Sequence, residues 1–166
     1  MRHLAFISLF LLTTLPAQAQ SVIEKAKKDE LLFMQDEEPE MRKAFLKASR
    51  SLDDFLLRAK TPARGTSYYA LKVEIREGKN TEYFWIGPFE QRGDEFSGTL
   101  DNAPRIVKGV REGQIYPFRK SQIVDWTYYN KSEHRMYGNF TLCALLTKEP
   151  PEEAKSAQKN FGLKCE

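Results

Sequence analysis

The sequence predicts an α+β fold, in which one amphipathic helix packs on a bent antiparallel sheet of about five strands and a helical segment follows. A change of hydrophobic period carries this prediction. Apolar residues recur at three- and four-residue steps from Pro39 to about Arg58, whereas they alternate with polar residues after Gly65. Turn-forming residues separate the alternating segments between Ser67 and Tyr129, which favours antiparallel hairpins.

The helix is expected to begin at Pro39, because the fixed φ of proline suits a first helical position. Glu38 and Glu40 flank this proline and place negative charge at the positive end of the helix dipole. Thr61-Pro62 is expected to end the helix. Seven apolar residues share one face and predict its buried side, namely Met41, Ala44, Phe45, Ala48, Leu52, Phe55 and Leu56.

The sheet prediction rests on strands separated by turns. The alternating run around Leu71 is followed by turns at 77–80 and 91–94, which lead into "TEYFWIGPF" and "EFSGTL". Two shorter strands follow, "QIYPF", whose Pro117 suggests an edge position, and "SQIVDWTYY". Residues 138–147 fit a helix or a final strand almost equally well. A last helix is expected from Pro151, with Gly162 as its terminator.

The first residues have the features of a secretory signal peptide. Met1-Arg2-His3 is a short positive region, residues 4–15 are uncharged and largely apolar, and Ala17-Gln18-Ala19 offers small residues for cleavage. The apolar run is shorter than the roughly 20 residues that span a bilayer. We therefore expect cleavage after Ala19, a lead segment at 20–35, a single domain at 36–166, and a periplasmic or secreted protein without a membrane span after cleavage.

The charge distribution limits the kinds of binding partner that the sequence supports. The formal net charge of +3 falls to +2 when Arg2 is removed, which gives little support for a nucleic-acid partner. A locally basic run, in which Glu112 is the opposing acid, consists of Arg105, Lys108, Arg111, Arg119 and Lys120. Such a run is most often a solvated face. Its alternative role is to contact an anionic envelope component or an envelope protein.

The cysteine and histidine counts exclude several kinds of site. Cys143 and Cys165 are the two cysteines, and in an oxidising compartment they are expected to form one disulfide, worth about 3 kcal/mol for a loop of this length. The alternative is a buried Cys143 thiol and a covalent dimer through Cys165. His134 is the sole histidine after signal cleavage, which excludes a zinc site with two histidines. We expect no metal and no cofactor.

Several segments, taken in order, resemble one bacterial family. They are "EEPEMRKAFLKASRSLDDFL", "EYFWI", "FSGTLDNAP", "IVDWTYY" and "MYGNFTLCALL". Together they are similar to domain-of-unknown-function family 2314, the YegJ-like proteins, over about residues 36–146. The resemblance implies a small α+β domain and no established activity. Members of this family tend to carry a basic residue where this chain has Cys143, which implies that the disulfide is an adaptation of an exported member.

Candidate catalytic chemistry centres on carboxylates. Asp125 and Glu82, with Asp101 and His134, are the groups that could divide acid and base work. The structural interpretation is favoured, because Asp125 points away from its apolar neighbours on an alternating strand and is suited to bond a backbone amide and fix a bend. Trp85 and Trp126 are similarly expected to be core residues whose indole N–H groups reach backbone acceptors.

The sequence contains no glycine-rich phosphate loop and no nucleophile elbow. We therefore expect no catalytic residues, and the favoured function is a non-catalytic binding or interaction module of the bacterial cell envelope. A regulatory accessory protein without a small ligand fits the same sequence. The alternative from another class is an envelope hydrolase that uses the carboxylates near Asp125 and Glu82.

Overall fold

The computed structural model describes residues 38–165. The expected signal peptide (1–19), its cleavage site at Ala19 and the lead segment (20–35) lie outside these residues. The helices are α1 (Pro39–Lys60), α2 (Phe140–Leu146) and α3 (Pro151–Phe161). The strands are β1 (Thr66–Glu77), β2 (Asn80–Arg92), β3 (Glu95–Leu100), β4 (Ile115–Arg119), β5 (Ile123–Asn130) and β6 (Arg135–Gly138), with a 3-10 turn at Lys120–Gln122 between β4 and β5.

Helix α1 has the signals and the buried face that the sequence predicts. Pro39 is its first residue, Glu40 lies in the first turn, and Arg58 and Lys60 place positive charge in the last turn. Six of the seven predicted residues are buried, namely Met41, Ala44, Ala48, Leu52, Phe55 and Leu56. Phe45 is only half-buried. The amphipathic pattern is thus confirmed over 22 residues.

The described strands form one antiparallel sheet in the order β4-β3-β2-β1-β5-β6. Two-residue turns join β1 to β2 and β2 to β3, and Gly78 and Gly93 supply the positive φ that these turns require. Register shifts in the β1–β5 and β2–β3 pairs mark bulges, which bend a sheet. The sheet therefore has the predicted class, with six strands instead of five.

The additional strand is β6, whose four residues are too few to show an alternating pattern. It pairs with only the second half of β5, from Thr127 to Asn130. The ambiguous segment that follows it is helical, since residues Phe140–Leu146 form α2. Helix α2 thus continues from β6 near the part of β5 that β6 leaves unpaired.

The main core lies between α1 and one face of the sheet. Phe55 is fully buried and stacks on Trp126, with ring centroids 4.9 Å apart. Leu71 and Val73 of β1 and Phe84 of β2 are also fully buried in this cluster. The Trp126 indole N–H donates to the backbone oxygen of Ala48 at 3.2 Å, which joins the sheet to the helix backbone.

The C-terminal segment is attached to the sheet by several contacts. Helix α3 ends at Phe161. Its C-cap, Gly162, has a left-handed φ of 65°, and a Cβ there would lie 2.3 Å from the His134 carbonyl oxygen. The Met136 amide donates to the Gly162 carbonyl at 3.1 Å. Cys143 of α2 and Cys165 lie at disulfide distance, with Cα atoms 5.3 Å apart. Within residues 38–165, no helix combines the length and the apolar character that crossing a membrane requires.

The Phe55→Ala variant should lower the free energy of unfolding by about 3–5 kcal/mol, because it leaves a cavity against Trp126. Leu46→Ala is the matched control on the same helix. Leu46 is 57% exposed, so its loss should change stability by no more than about 0.5 kcal/mol. Urea denaturation measures both. Equal losses in the two variants would contradict the assignment of the α1 face.

The protein isolated without reductant should be a monomer two hydrogens lighter than the dithiol, with a peptide that links Cys143 to Cys165 under non-reducing mass spectrometry. The Cys143→Ala/Cys165→Ala variant should lose about 3 kcal/mol of stability, the value expected for closing a loop of this length. Two free thiols, or a covalent dimer through Cys165, would contradict this pairing.

Candidate binding surface

The five cations of the basic run do not form one surface. Arg105, Lys108 and Arg111 lie on the loop between β3 and β4, residues 101–114, whereas Arg119 is the last residue of β4. Five residues of extended chain span about 13 Å, so β4 separates the two groups. Lys120 bonds Asp53 of α1 at 2.6 Å, and this hydrogen bond raises the pKa of Lys120. The candidate surface is therefore the loop 101–114, which we call the basic loop.

A buried carboxylate holds the middle of the basic loop. Glu82 of β2 is only 8% exposed, and its Oε1 accepts a hydrogen bond from the Arg105 amide at 2.8 Å. Its Oε2 accepts from the amides of Ile106 and Val107, at 2.9 and 3.0 Å. Three consecutive backbone donors thus bind one carboxylate, and these hydrogen bonds offset the free-energy cost of burying its charge. Val107, which is 1% exposed, enters the main core beside it.

The basic loop is also held at its two ends. The Asp101 amide donates to the Trp85 carbonyl, and the Asn102 side-chain oxygen accepts from the Trp85 amide, both at 2.9 Å. At the other end, the Gly113 amide donates to the Leu100 carbonyl at 2.8 Å. The Lys108 amide donates to Glu77 Oε2, also at 2.8 Å. These bonds give one conformation to a segment that has no helix or strand of its own.

The basic loop presents positive charge next to apolar side chains. The side chains of Arg105, Lys108 and Arg111 are exposed. Ile106 is 43% exposed, and Ile115, where β4 begins, is 70% exposed. Large apolar residues at a protein surface indicate contact sites when they lie together and are bordered by polar groups. This arrangement can bind an anionic surface that also offers apolar contact.

Asp125 fills a different position and has no access to solvent. Its Oδ1 accepts from the Trp126 amide at 2.8 Å, and its Oδ2 accepts from the Thr141 amide and hydroxyl at 2.8 and 2.7 Å. Lys72 Nζ donates to the same hydroxyl at 3.0 Å. Burial raises the pKa of Asp125, although Lys72 and the three hydrogen bonds oppose this effect. The contacts make Asp125 an acceptor for the first turn of α2.

The two tryptophans lie on opposite faces of the sheet. Trp126 pairs with Leu71 and belongs to the main core, as expected. Trp85 pairs with Lys72, one position along β1, and therefore faces the other way. It is half-buried, and its ring lies 5.4 Å from Lys72 Nζ. The expectation that Trp85 is a core residue is wrong, because the strand alternation places it beside a lysine.

The strand register also separates the two candidate catalytic carboxylates. Glu82 pairs with Ile75 and Asp125 pairs with Lys72, three positions apart on β1, so their side chains leave opposite faces of the sheet. Each carboxylate already accepts hydrogen bonds from backbone amides. His134 is exposed in the β5–β6 turn. Among residues 38–165, no group of three histidine, cysteine, aspartate or glutamate side chains is placed to hold a metal ion.

The sequence did not predict the hydrogen bonds that Glu82, Thr141 and Lys72 make inside the fold. A signal existed for Glu82, since it alternates with Phe84 and Ile86 and therefore occupies an inward-facing strand position. A charged residue at such a position must find partners inside the fold. No comparable local signal marks Thr141, which lies 16 residues after Asp125.

The Asp125→Asn variant should lower the free energy of unfolding by about 1–3 kcal/mol. The side-chain nitrogen of asparagine is itself a donor, so it cannot accept the hydrogen bonds that the carboxylate oxygen in its place accepts. Asp94→Asn, at an exposed turn position, is the isosteric control and should change stability little. Thermal unfolding, with binding measured on the refolded protein, tests both. If the Asp125 variant keeps its stability and loses binding, the carboxylate contacts a ligand and the structural assignment fails.

Comparison with known proteins gives a family. A family model described as "Uncharacterized protein conserved in bacteria (DUF2314)" matches residues 38–165. A protein of Escherichia coli (strain K12), "Uncharacterized protein YegJ", is 35% identical over 86 residues, which are 52% of this chain and 55% of that protein. The chain thus matches about half the length of this relative. No solved structure matches. The family model covers all the residues that the structure describes, and the chain belongs to the DUF2314 family.

Proposed function

We propose that this protein is a non-catalytic binding module of the bacterial cell envelope, and that the basic loop with Ile115 is its contact surface. The observation that carries the proposal is the bonding of Glu82 to three consecutive amides of that loop. A carboxylate buried for this purpose holds the loop in one shape and leaves the cations Arg105 and Lys108 exposed.

The length of the basic loop supports a binding role. Loops of this length without secondary structure are uncommon in compact domains, and they are usually functional or disordered. Here the Glu82 and Glu77 contacts oppose disorder. A loop that is ordered before binding loses less conformational entropy when a partner arrives, so more of the contact energy remains as affinity.

The chemistry of the basic loop favours an anionic partner. Three exposed cations lie within seven residues, from Arg105 to Arg111, and no acid lies between them. Charge complementarity of this kind accelerates association and selects anionic partners. The exposed side chains of Ile106 and Ile115 add apolar contact. An anionic component of the envelope satisfies both properties.

Two features support a location in the envelope. Residues 1–19 have the order of charge, apolar run and small residues that signal peptides share. Cys143 and Cys165 lie at disulfide distance, and disulfides persist mainly in oxidising compartments. The hydrolase alternative has no comparable support, because Glu82 and Asp125 lie on opposite faces and both hold backbone amides.

The Arg105→Gln/Lys108→Gln/Arg111→Gln variant should bind anionic phospholipid vesicles at least roughly tenfold more weakly than the unmodified domain, since each exposed cation contributes to the attraction. The Arg50→Gln/Lys131→Gln/Lys155→Gln variant removes the same charge at exposed positions elsewhere and should bind normally. Co-sedimentation over a series of salt concentrations measures the affinity. Equal weakening in both variants, or no binding by the unmodified domain, would refute the proposal.

The Glu82→Gln variant tests the role of the loop's conformation separately from its charge. It makes the protein more positive by one unit, so attraction through net charge alone would strengthen binding. Loss of an acceptor for the loop amides should instead loosen residues 105–107, speed their hydrogen exchange and weaken binding. Glu90→Gln is the control, because Glu90 is exposed and makes the same charge change. Stronger binding by Glu82→Gln than by Glu90→Gln would contradict the proposed clamp.

A further inference from the structure

A cleft lies at the other edge of the sheet from the basic loop, where the β5–β6 turn meets the end of α3. Its volume is about 470 Å³. The residues that line it are Glu133, His134, Arg135, Gln158, Lys159, Gly162, Leu163 and Lys164. It is remote from the basic loop along the sheet, because the loop leads into β4 and the cleft adjoins β6, the two edge strands.

The cleft is rich in positive charge. Arg135, Lys159 and Lys164 carry three cationic groups. The opposing acid is Glu133. Its Oε1 accepts from the Asn130 side chain at 2.9 Å and its Oε2 accepts from the Tyr137 hydroxyl. The acceptor atoms of this carboxylate are thus bonded to the end of β5 and to β6, and its single charge does not balance the cations.

The arginine in this cleft retains unmet hydrogen-bonding capacity. The Arg135 guanidinium lies over the Tyr137 ring, 4.4 Å from the ring centroid. Its Nε is buried and has no acceptor in the part of the chain that the structure describes. A guanidinium held against an aromatic ring is restricted in orientation, so it can meet a tetrahedral oxyanion with little loss of side-chain entropy.

The backbone around the cleft is held in place. Gly162 packs against the His134 carbonyl so closely that no side chain fits, and the Gly162 carbonyl accepts from the Met136 amide. Leu163 is buried and forms a bridge with Met136. The Cys143–Cys165 pair holds the residue after Lys164 to α2. These contacts fix the positions from which the lysines approach the cleft.

We propose that this cleft binds a phosphate-class dianion, either free or as the headgroup of a larger molecule. A dianion neutralises the excess charge of Arg135, Lys159 and Lys164 against Glu133, whereas a monoanion leaves part of it unpaired. Planar guanidinium and ammonium donors are the groups that proteins use for phosphate oxygens. The cleft is separate from the contact surface proposed above, and either can exist without the other.

Titration of the ¹⁵N-labelled mature domain with inorganic phosphate, at constant ionic strength, tests the site. We expect saturable amide shifts confined to residues 133–136 and 158–164, with much weaker effects from acetate. The Lys159→Gln/Lys164→Gln variant should bind phosphate roughly tenfold more weakly, because it removes two of the charged donors. The Arg50→Gln/Lys131→Gln variant carries the same charge change at exposed positions and should bind like the unmodified protein.

Vesicles that contain phosphatidic acid, whose headgroup is a phosphate monoester, distinguish the two sources of ligand. Binding of inorganic phosphate, or of phosphatidic acid vesicles over phosphatidylcholine vesicles, supports the site when it depends on Lys159 and Lys164. Binding of inorganic phosphate identifies a free anion as the ligand. Binding of phosphatidic acid vesicles without binding of inorganic phosphate identifies a headgroup. The proposal is overturned if the protein binds neither ligand. It is also overturned if the Lys159→Gln/Lys164→Gln variant binds no more weakly than the Arg50→Gln/Lys131→Gln control.

Discussion

The bonding of Asp125 to Trp126 and Thr141 joins the sheet to the helix that follows it, α2. Strand β6 pairs with β5 only from Thr127 onward, so the first half of β5 pairs with β1 on one side and has no strand on the other. Helix α2 follows β6 there, and Asp125 accepts the Thr141 amide, which lies in the first turn and has no partner inside the helix. The side chain of Asn139, at the cap position, makes no capping bond. A carboxylate from a neighbouring strand therefore performs the capping role.

The position of α2 in turn affects where the C-terminal segment lies. Cys143 lies on α2, one turn after Phe140, and its bond to Cys165 brings the tail of the chain to the sheet. Phe140 contacts the edge of Trp126, with ring centroids 5.3 Å apart, and so ties α2 to the main core as well. The end of α3 is therefore held twice, directly by β6 through Met136 and indirectly through the Cys143–Cys165 pair on α2.

Glu82 uses the same physical device on the other face of the sheet. A buried carboxylate is costly unless charge-assisted hydrogen bonds replace its lost hydration, and backbone amides are suitable donors. Both carboxylates accept three such bonds, Glu82 from three loop amides and Asp125 from the Trp126 amide and from the amide and hydroxyl of Thr141. Acidic groups used in this way order loops and helix ends.

The sequence was most informative where local periodicity determines structure, as it does for α1 and for β1 to β3. It failed for β6, which is four residues long and ends at a glycine in left-handed conformation. It also failed for the basic run, since proximity along the chain suggested one patch and the extended β4 placed Arg119 far from Arg111. The pairing of Glu82 with residues 105–107 arises from tertiary packing, which periodicity does not encode.

Residues that stabilise this domain and residues that form its proposed binding surfaces can be changed separately. The main core around Phe55 supports both proposed surfaces equally, so damage there removes binding only by unfolding the domain. The acceptors Glu82 and Asp125 act through particular segments and affect one region each. The exposed cations of the basic loop, and Lys159 and Lys164 of the cleft, contribute little to the core. Loss of binding in a folded protein is therefore interpretable when it follows changes in these exposed cations, and the two sets can be changed independently because they lie at opposite edges of the sheet.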